Sequence, residues 1–221
     1  MISRRVVRSI QRRGLGSTAQ RALELAVDRV SLDEEHVWYD LPLVDLPIAA
    51  ELGDGLEIVR RPPLRLLDDA GVISQDDAGP LTQAGDPWAV VDADGALAFT
   101  CWTFLGRTPM IAARRGWLPL PKDVVCLENS LTLPAFRGRG IAPRTWSVIA
   151  ARHAAEGRKQ MVTKVEVENI PSRRAVEKAG FKEVGLMHFR RRPWGSETTI
   201  SLTSPSVQFL RTLATHAGGG A

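Results

Sequence analysis

The residues with the clearest chemical meaning are Arg137-Gly138-Arg139-Gly140-Ile141-Ala142, which fall where a strand-forming run ends and a helical pattern begins. A helix N-terminus leaves about four backbone N–H groups unpaired, and together with the helix dipole they make a site for a phosphate or diphosphate. Glycines let the backbone approach an anion with no Cβ in the way, and Arg137 and Arg139 add positive charge. The same residues suit an ordinary Gly-Arg surface turn, so taken alone the pattern leaves both readings open. Two nucleotide-binding alternatives do not fit: there is no Gly-Lys-Ser/Thr of a phosphate loop, and no Gly-x-Gly-x-x-Gly with an acidic residue about 20 positions on. Cys101 and Cys126 are the only cysteines, with neither metal-ligand spacing nor a disulfide framework, so they read as small core residues and no metal site is expected.

The elements that must position this turn can be read on either side of it. Residues 124–133 form a β-rich run leading into Pro134-Ala135-Phe136, and residues 142–156 form a helix with Pro143 in its first turn. Trp146, Ile149 and His153 share one face of that helix, and Gly157 supplies a left-handed stop. Upstream, residues 56–60 read as a short strand and 63–69 as a helical turn. Residues 88–91 and 96–104 read as two strands joined by Asp92-Ala93-Asp94-Gly95, whose Asp-Gly is a strong hairpin signal. Downstream, 161–168 alternates as a strand, 172–179 is helical, and 181–190 pairs with 197–202 across Pro193-Trp194-Gly195. Strands alternating with helices argue for a mixed α/β domain.

These residues resemble the GNAT superfamily of acyl-CoA-dependent N-acetyltransferases. The family motif Arg/Gln-x-x-Gly-x-Gly/Ala between a strand and a helix is matched by Arg137, Gly140 and Ala142. A second signature, a strand ending in Asn, a small residue three positions later and Gly-Phe beyond, is matched by Asn169, Ser172, Gly180 and Phe181, preceded by Val165. Two motifs in the right order are far more specific than either alone. The resemblance covers about residues 55–203 and implies a mixed, mainly antiparallel sheet with splayed central strands flanked by helices. It leaves residues 1–54 as a basic helical extension and connection, and 204–221 as a C-terminal segment with a frayed Gly-rich end.

The resemblance implies acetyl-CoA as acyl donor. Its pantetheine arm would add to the free edge of Leu131-Thr132-Leu133, and its diphosphate would sit on the N–H groups of Gly138, Arg139, Gly140, Ile141 and Ala142 beside Arg137. Asn169 and Ser172 would border the pantetheine and thioester; Asn169 also suits a turn and Ser172 a helix N-cap. The acceptor would be the primary amine of a small molecule, attacked directly in a ternary complex, so the amine must lose a proton to a base or water chain. Glu128 is the first candidate base, against the reading of a solvent-facing strand charge, and His36 a second. The family commonly places a Tyr acid for the leaving thiolate seven positions after the Asn. Here that position is Val176, and the only tyrosine is Tyr39. Ser172, water, or Tyr39 folding back could supply the proton, or none is needed because a thiolate is a fairly stable leaving group. The same departure raises the alternative of a catalytically impaired acyl-CoA-binding module, and a protein or peptide amine is a further alternative acceptor. Arg190-Arg191-Arg192 reads as a solvated hairpin tip or as a flank of the acceptor groove.

Composition bounds the rest. A chain of 221 residues, 44 % hydrophobic and 24 % charged, is long enough for one sizeable core and is neither disordered nor collagen-like. The formal charge of +4 is concentrated in residues 1–30, where seven Arg face Glu24 and Asp28, leaving about −1 for the remainder, so a specific nucleic-acid binder is not expected. No run reaches the roughly 18 consecutive apolar residues a membrane-spanning helix needs. Ser3-Arg4-Arg5 superficially suggests a twin-arginine signal, but no apolar region follows, and a cytoplasmic protein is expected. Ile2, Val6, Val7 and Ile10 form the stripe of a short basic helix, and Ser17 to Gln20 has the form of a capping box opening a second. We expect residues 17–31 to pack on the catalytic domain or on a second subunit of a homodimer. Residues 1–13 would be held more loosely, with at most a weak peripheral membrane contact. Residues 31–54 read as an irregular connection with at most one short strand.

Overall fold

The computed structural model describes residues 32–44, 46, 52–53, 55–69, 85–109, 117–192 and 194–214. The two N-terminal helices and the Gly-rich end read from the sequence lie outside these residues. In chain order the elements are β1 (Leu32–Pro42), β2 (Glu57–Arg60), α1 (Leu64–Asp69), β3 (Gly85–Val91), β4 (Leu97–Leu105), β5 (Arg107–Pro109), β6 (Trp117–Pro119), β7 (Val124–Thr132), α2 (Ile141–Ala155), β8 (Gln160–Glu166), α3 (Ile170–Lys178), β9 (Lys182–Arg192) and β10 (Gly195–Leu202), with 3-10 turns at Pro134–Phe136 and Pro205–Leu213. Eight strands form one sheet in the order β10-β9-β1-β8-β7-β4-β3-β2, while β5 and β6 pair separately. All neighbours in the large sheet are antiparallel except β7 and β8, which run parallel because α2 carries the chain back across the sheet between them. Among the described residues no helix is long and apolar enough to cross a membrane.

The hairpin β3–β4 forms as the Asp-Gly pair predicts, with Asp92 Oδ1 accepting from the N–H groups of Asp94 and Ala96. Helix α2 ends at Ala155, and just past its C-cap Glu156 stands Gly157, whose φ of 82° is the left-handed stop. Two expectations need correction. Residues 32–42 are an eleven-residue strand running between β8 and β9, not part of an irregular connection. Helix α3 begins at Ile170, and its N-cap is Asn169, whose side chain accepts from Ser172 N, so Ser172 lies inside the first turn. In the C-terminal segment, Val207 and Leu210 of residues 205–213 are fully buried against the sheet.

The sheet separates two apolar layers. On one face Val37, Tyr39, Val125, Leu127 and Met161 pack with Trp146 and Ile149 of α2 and Val176 of α3. On the other, Trp38, Trp102, Cys126, Val162 and Met187 are covered by Leu67 of α1, Leu118 of β6 and Leu210. Both cysteines are buried and unbridged, as small core residues should be.

At the far end of α2, His153 is 1 % exposed, with Nε2 3.3 Å from Thr103 Oγ1 and Nδ1 3.2 Å from Glu156 Oε2, and its ring meets Trp88 edge-on. Arg60 ties Glu156 to Asp86 alongside. Burial holds the His153 imidazole below its usual 6.5, against the carboxylate of Glu156. The unfolded chain therefore binds this proton more readily than the folded one. Stability should be full above about pH 6.5 and fall as the pH drops through that value toward the lowered folded one. Thermal melts from pH 7.5 to 5 should show that slope, and His153→Gln should flatten it; an equal slope in the variant would remove His153 from the account.

Candidate active site

The site begins where the sheet comes apart. Strands β7 and β8 are paired only from Val124 with Gln160 to Leu127 with Thr163. Thr163 Oγ1 closes that last rung by donating to Leu127 O at 2.8 Å. Beyond it β7 carries a bulge: the two-residue step from Thr100 to Trp102 on β4 is matched by the three-residue step from Glu128 to Leu131 on β7, and Asn129 takes a φ of 53°. A bulge bends and twists its strand, and here β7 turns away from β8. The gap opens into a cleft of about 420 Å³ lined from β1, β7, β8, α2 and α3.

Along the open side of the gap, the three residues expected to present their backbone do so unequally. Leu133 N–H donates to Ala98 O at 3.0 Å, so its polar groups serve β4. By strand alternation Leu131 does the same, and Thr132 alone turns its N–H and C=O to the open edge. Arg137 Nε meets that carbonyl, donating to Thr132 O at 3.2 Å.

The turn that follows stands at the N-terminus of α2. Gly138 and Gly140 have φ of 79° and 68°, and Gly140 is the N-cap of α2 with no side-chain cap on the first N–H groups. A Cβ at Gly138 would meet nothing within 4 Å, which leaves the backbone open to an anion. Arg139 lies over the Phe136 ring at 5.4 Å. Two cations that local sequence did not point to join the turn. Arg144 donates to the carbonyls of Gly140 and Arg139 and fixes the shape of the turn. Lys178, from the end of α3, brings Nζ to 4.0 Å from where a Gly140 Cβ would stand.

Opposite the open edge, Ser172 and Asn169 line the cleft at the start of α3, with Val176 one turn on. Tyr39 does not line it: the phenol is buried under α3, accepts from Arg173 Nε at 2.9 Å and donates to Glu177 Oε1 at 3.4 Å. Burial raises its pKa, outweighing the bond from Arg173. His36 does line the cleft, beside Glu34 on β1, and both are buried. Of the arginines at the end of β9, none lines the cleft; Arg190 and Arg192 instead flank Asp33 at 3.7 and 3.3 Å.

The apex of the gap holds a buried ion pair. Glu128 and Lys164 are the residues directly after the last paired rung, their side chains are 7 % and 3 % exposed, and Lys164 Nζ donates to Glu128 Oε1. The ammonium also lies 5.3 Å from the Trp38 ring. Glu128 is thus no solvent-facing strand charge. Cys126 Sγ lies 3.5 Å from the same carboxylate oxygen. Burial, reinforced by Glu128, raises the thiol far above its ordinary range, so Cys126 is a neutral packing group and not a nucleophile.

No protein-family model matches the chain, and no curated protein matches it in sequence. Solved structures do match it in fold. A GCN5-related N-acetyltransferase from Sphaerobacter thermophilus superposes with a TM-score of 0.54 at 16 % identity, over 78 % of this chain and 56 % of that one. A GNAT-family protein from Novosphingobium aromaticivorans gives 0.51 at 18 %, over 78 % and 66 %. A GCN5-related N-acetyltransferase from Kribbella flavida gives 0.50 at 15 %, over 78 % and 64 %. The splayed mixed sheet and these likenesses define the class: the chain has the GNAT fold. The matched region is 56 % to 66 % of the length of those three structures.

Proposed function

We propose that the protein transfers an acetyl group from acetyl-CoA to the primary amine of a small acceptor, by direct attack in a ternary complex. The observation that carries this reading is the succession of parts along β7 and into α2. An uncapped, cation-ringed helix N-terminus at Gly140 leads along the unpaired edge at Thr132 to a buried carboxylate at the apex. The N–H groups of residues 138–142, with Arg137, Arg139 and Lys178, suit a diphosphate. Thr132 offers one N–H, and a carbonyl it shares with Arg137, to an amide-bearing arm in the manner of an added strand. Asn169 and Ser172 would border the thioester from α3. The bound donor supplies an activated acyl group; the chain positions it and takes up the amine proton, for which Glu128 is the proposed base. Proximity carries much of such a reaction, since holding two reactants in attack geometry is worth roughly 7–11 kcal/mol at best.

Release of CoA thiol from acetyl-CoA over a panel of amino sugars, polyamines, amino acids and peptide N-termini tests the reading. Turnover with a small amine supports it, and turnover confined to peptides moves the acceptor to a protein amine. One observation favours a second reading: Val176 stands where the family commonly has its Tyr acid, and Tyr39 is held away from the cleft by Arg173 and Glu177. Tight acetyl-CoA binding with no thiol release from any acceptor would make the protein an acyl-CoA-binding module.

A further inference from the structure

We infer that Lys164 and Glu128 act together as a proton relay, with Lys164 as the acid that protonates the departing CoA thiolate in place of the missing tyrosine. The inference rests on the acyl-transfer reading above and deepens it. Its basis is position. Strands β7 and β8 close on each other at Leu127 and Thr163, so anything threaded along the open edge of β7 must stop at the next residues, which are Glu128 and Lys164. From Leu133 to Glu128 the edge is five residues long, roughly 16 Å of strand. An arm whose diphosphate end rests at Gly140 therefore brings its reactive end to this pair.

The chemistry of the pair suits both ends of the reaction. Lys164 is an ammonium with three N–H donors, of which one serves Glu128. Lys164 and Val176 line the same cleft, and Lys164 is the cation at its apex, held beside Glu128. Tyr39 is occupied elsewhere, and Cys126 is a buried neutral thiol. A carboxylate alone at the apex could take a proton but would repel a thiolate, whereas the pair can take one proton and give another.

In the step itself the acceptor, entering as the free amine, forms a bond from its nitrogen to the acyl carbon, and the carbon–sulfur bond breaks with its electron pair going to sulfur. Glu128 takes the proton the nitrogen must lose, and Lys164 gives one to the thiolate. Glu128 then returns its proton to Lys164 across their hydrogen bond, so amide and free CoA thiol leave a pair in its starting state. No other reactant is needed.

The test needs no acceptor and no turnover. CoA bound to the protein is titrated by thiolate absorbance in the far ultraviolet, with desulfo-CoA as the blank, in wild type, Lys164→Arg and Glu128→Gln/Lys164→Met. The double variant removes both charges and so avoids a lone buried ion. The ratio of thiolate to thiol at a given pH should be at least about tenfold higher on wild type than on the double variant, a shift of one pKa unit, with Lys164→Arg between them. Equal ratios on wild type and double variant would overturn the relay while leaving the acyl-transfer reading intact. Failure of wild type to bind CoA at all would overturn both.

Discussion

Gly140→Asp should weaken acetyl-CoA binding by about a hundredfold, roughly 2.7 kcal/mol, in a protein that still folds. The fold tolerates the change because a Cβ there would have only Lys178 Nζ within 4.0 Å. The left-handed φ of 68° is one that Asp adopts more readily than most residues, at a strain of about 1 kcal/mol. The binding loss has two sources. A carboxylate at the N-cap of α2 faces the position proposed for the diphosphate, where the helix dipole otherwise favours an anion. It also stands within reach of Lys178 and takes up a cation of the turn. Arg137→Ala should cost about tenfold or less, since it removes one charge and also frees the Thr132 carbonyl for the ligand. Calorimetry checks both. A folded Gly140→Asp protein with wild-type affinity would remove the turn from the binding site.

Breaking the apex pair should have the largest effect on stability. Glu128→Gln leaves Lys164 charged at 3 % exposure, and Lys164→Met leaves Glu128 charged at 7 %. Removing one partner of a buried pair typically costs about 3–5 kcal/mol because the other is stranded without water or counter-charge. In a protein of this length that is a Tm loss on the order of 10 °C. Glu128→Gln/Lys164→Met should recover most of it, because two neutral side chains of similar size leave no stranded ion. Either single variant melting with wild type, or a double variant no better than the singles, would contradict a coupled buried pair. This also fixes how Glu128 must be assayed as a base: the turnover of Glu128→Gln is meaningful only well below its lowered Tm. There the deficit should shrink as rising pH supplies free amine.

Which parts of this arrangement were legible in the sequence follows from how local their causes are. The Gly-Arg turn, the Asp92–Gly95 hairpin and α2 are each specified by neighbours in the chain, and each stands where the sequence puts it. Strand β1 was hidden by its composition. Asp33-Glu34-Glu35-His36 reads as part of an irregular connection, yet Glu34 and His36 are buried because they floor the cleft while Val37 and Tyr39 fill the opposite layer. The bulge at Asn129 leaves no local signature, and it is what separates β7 from β8. The cap of α3 was readable in principle: Pro171 suits only the first helical turn, which points to Asn169 and not Ser172. Lys164, Arg144 and Lys178 were beyond a one-dimensional reading, since each acquires its meaning from a partner far along the chain: Lys164 from Glu128, Arg144 from the turn it clamps, Lys178 from the other end of the helix pair.

The central claim is that acetyl-CoA occupies the gap between β7 and β8, from the turn at Gly140 to the pair at Glu128. Amide hydrogen exchange with and without acetyl-CoA reads this directly. The account predicts slowed exchange at Thr132 N–H and at residues 138–142, with Leu133 N–H unchanged because it is already bonded to Ala98 O. Acetyl-CoA binding that leaves Thr132 and residues 138–142 exchanging as in the free protein would contradict it.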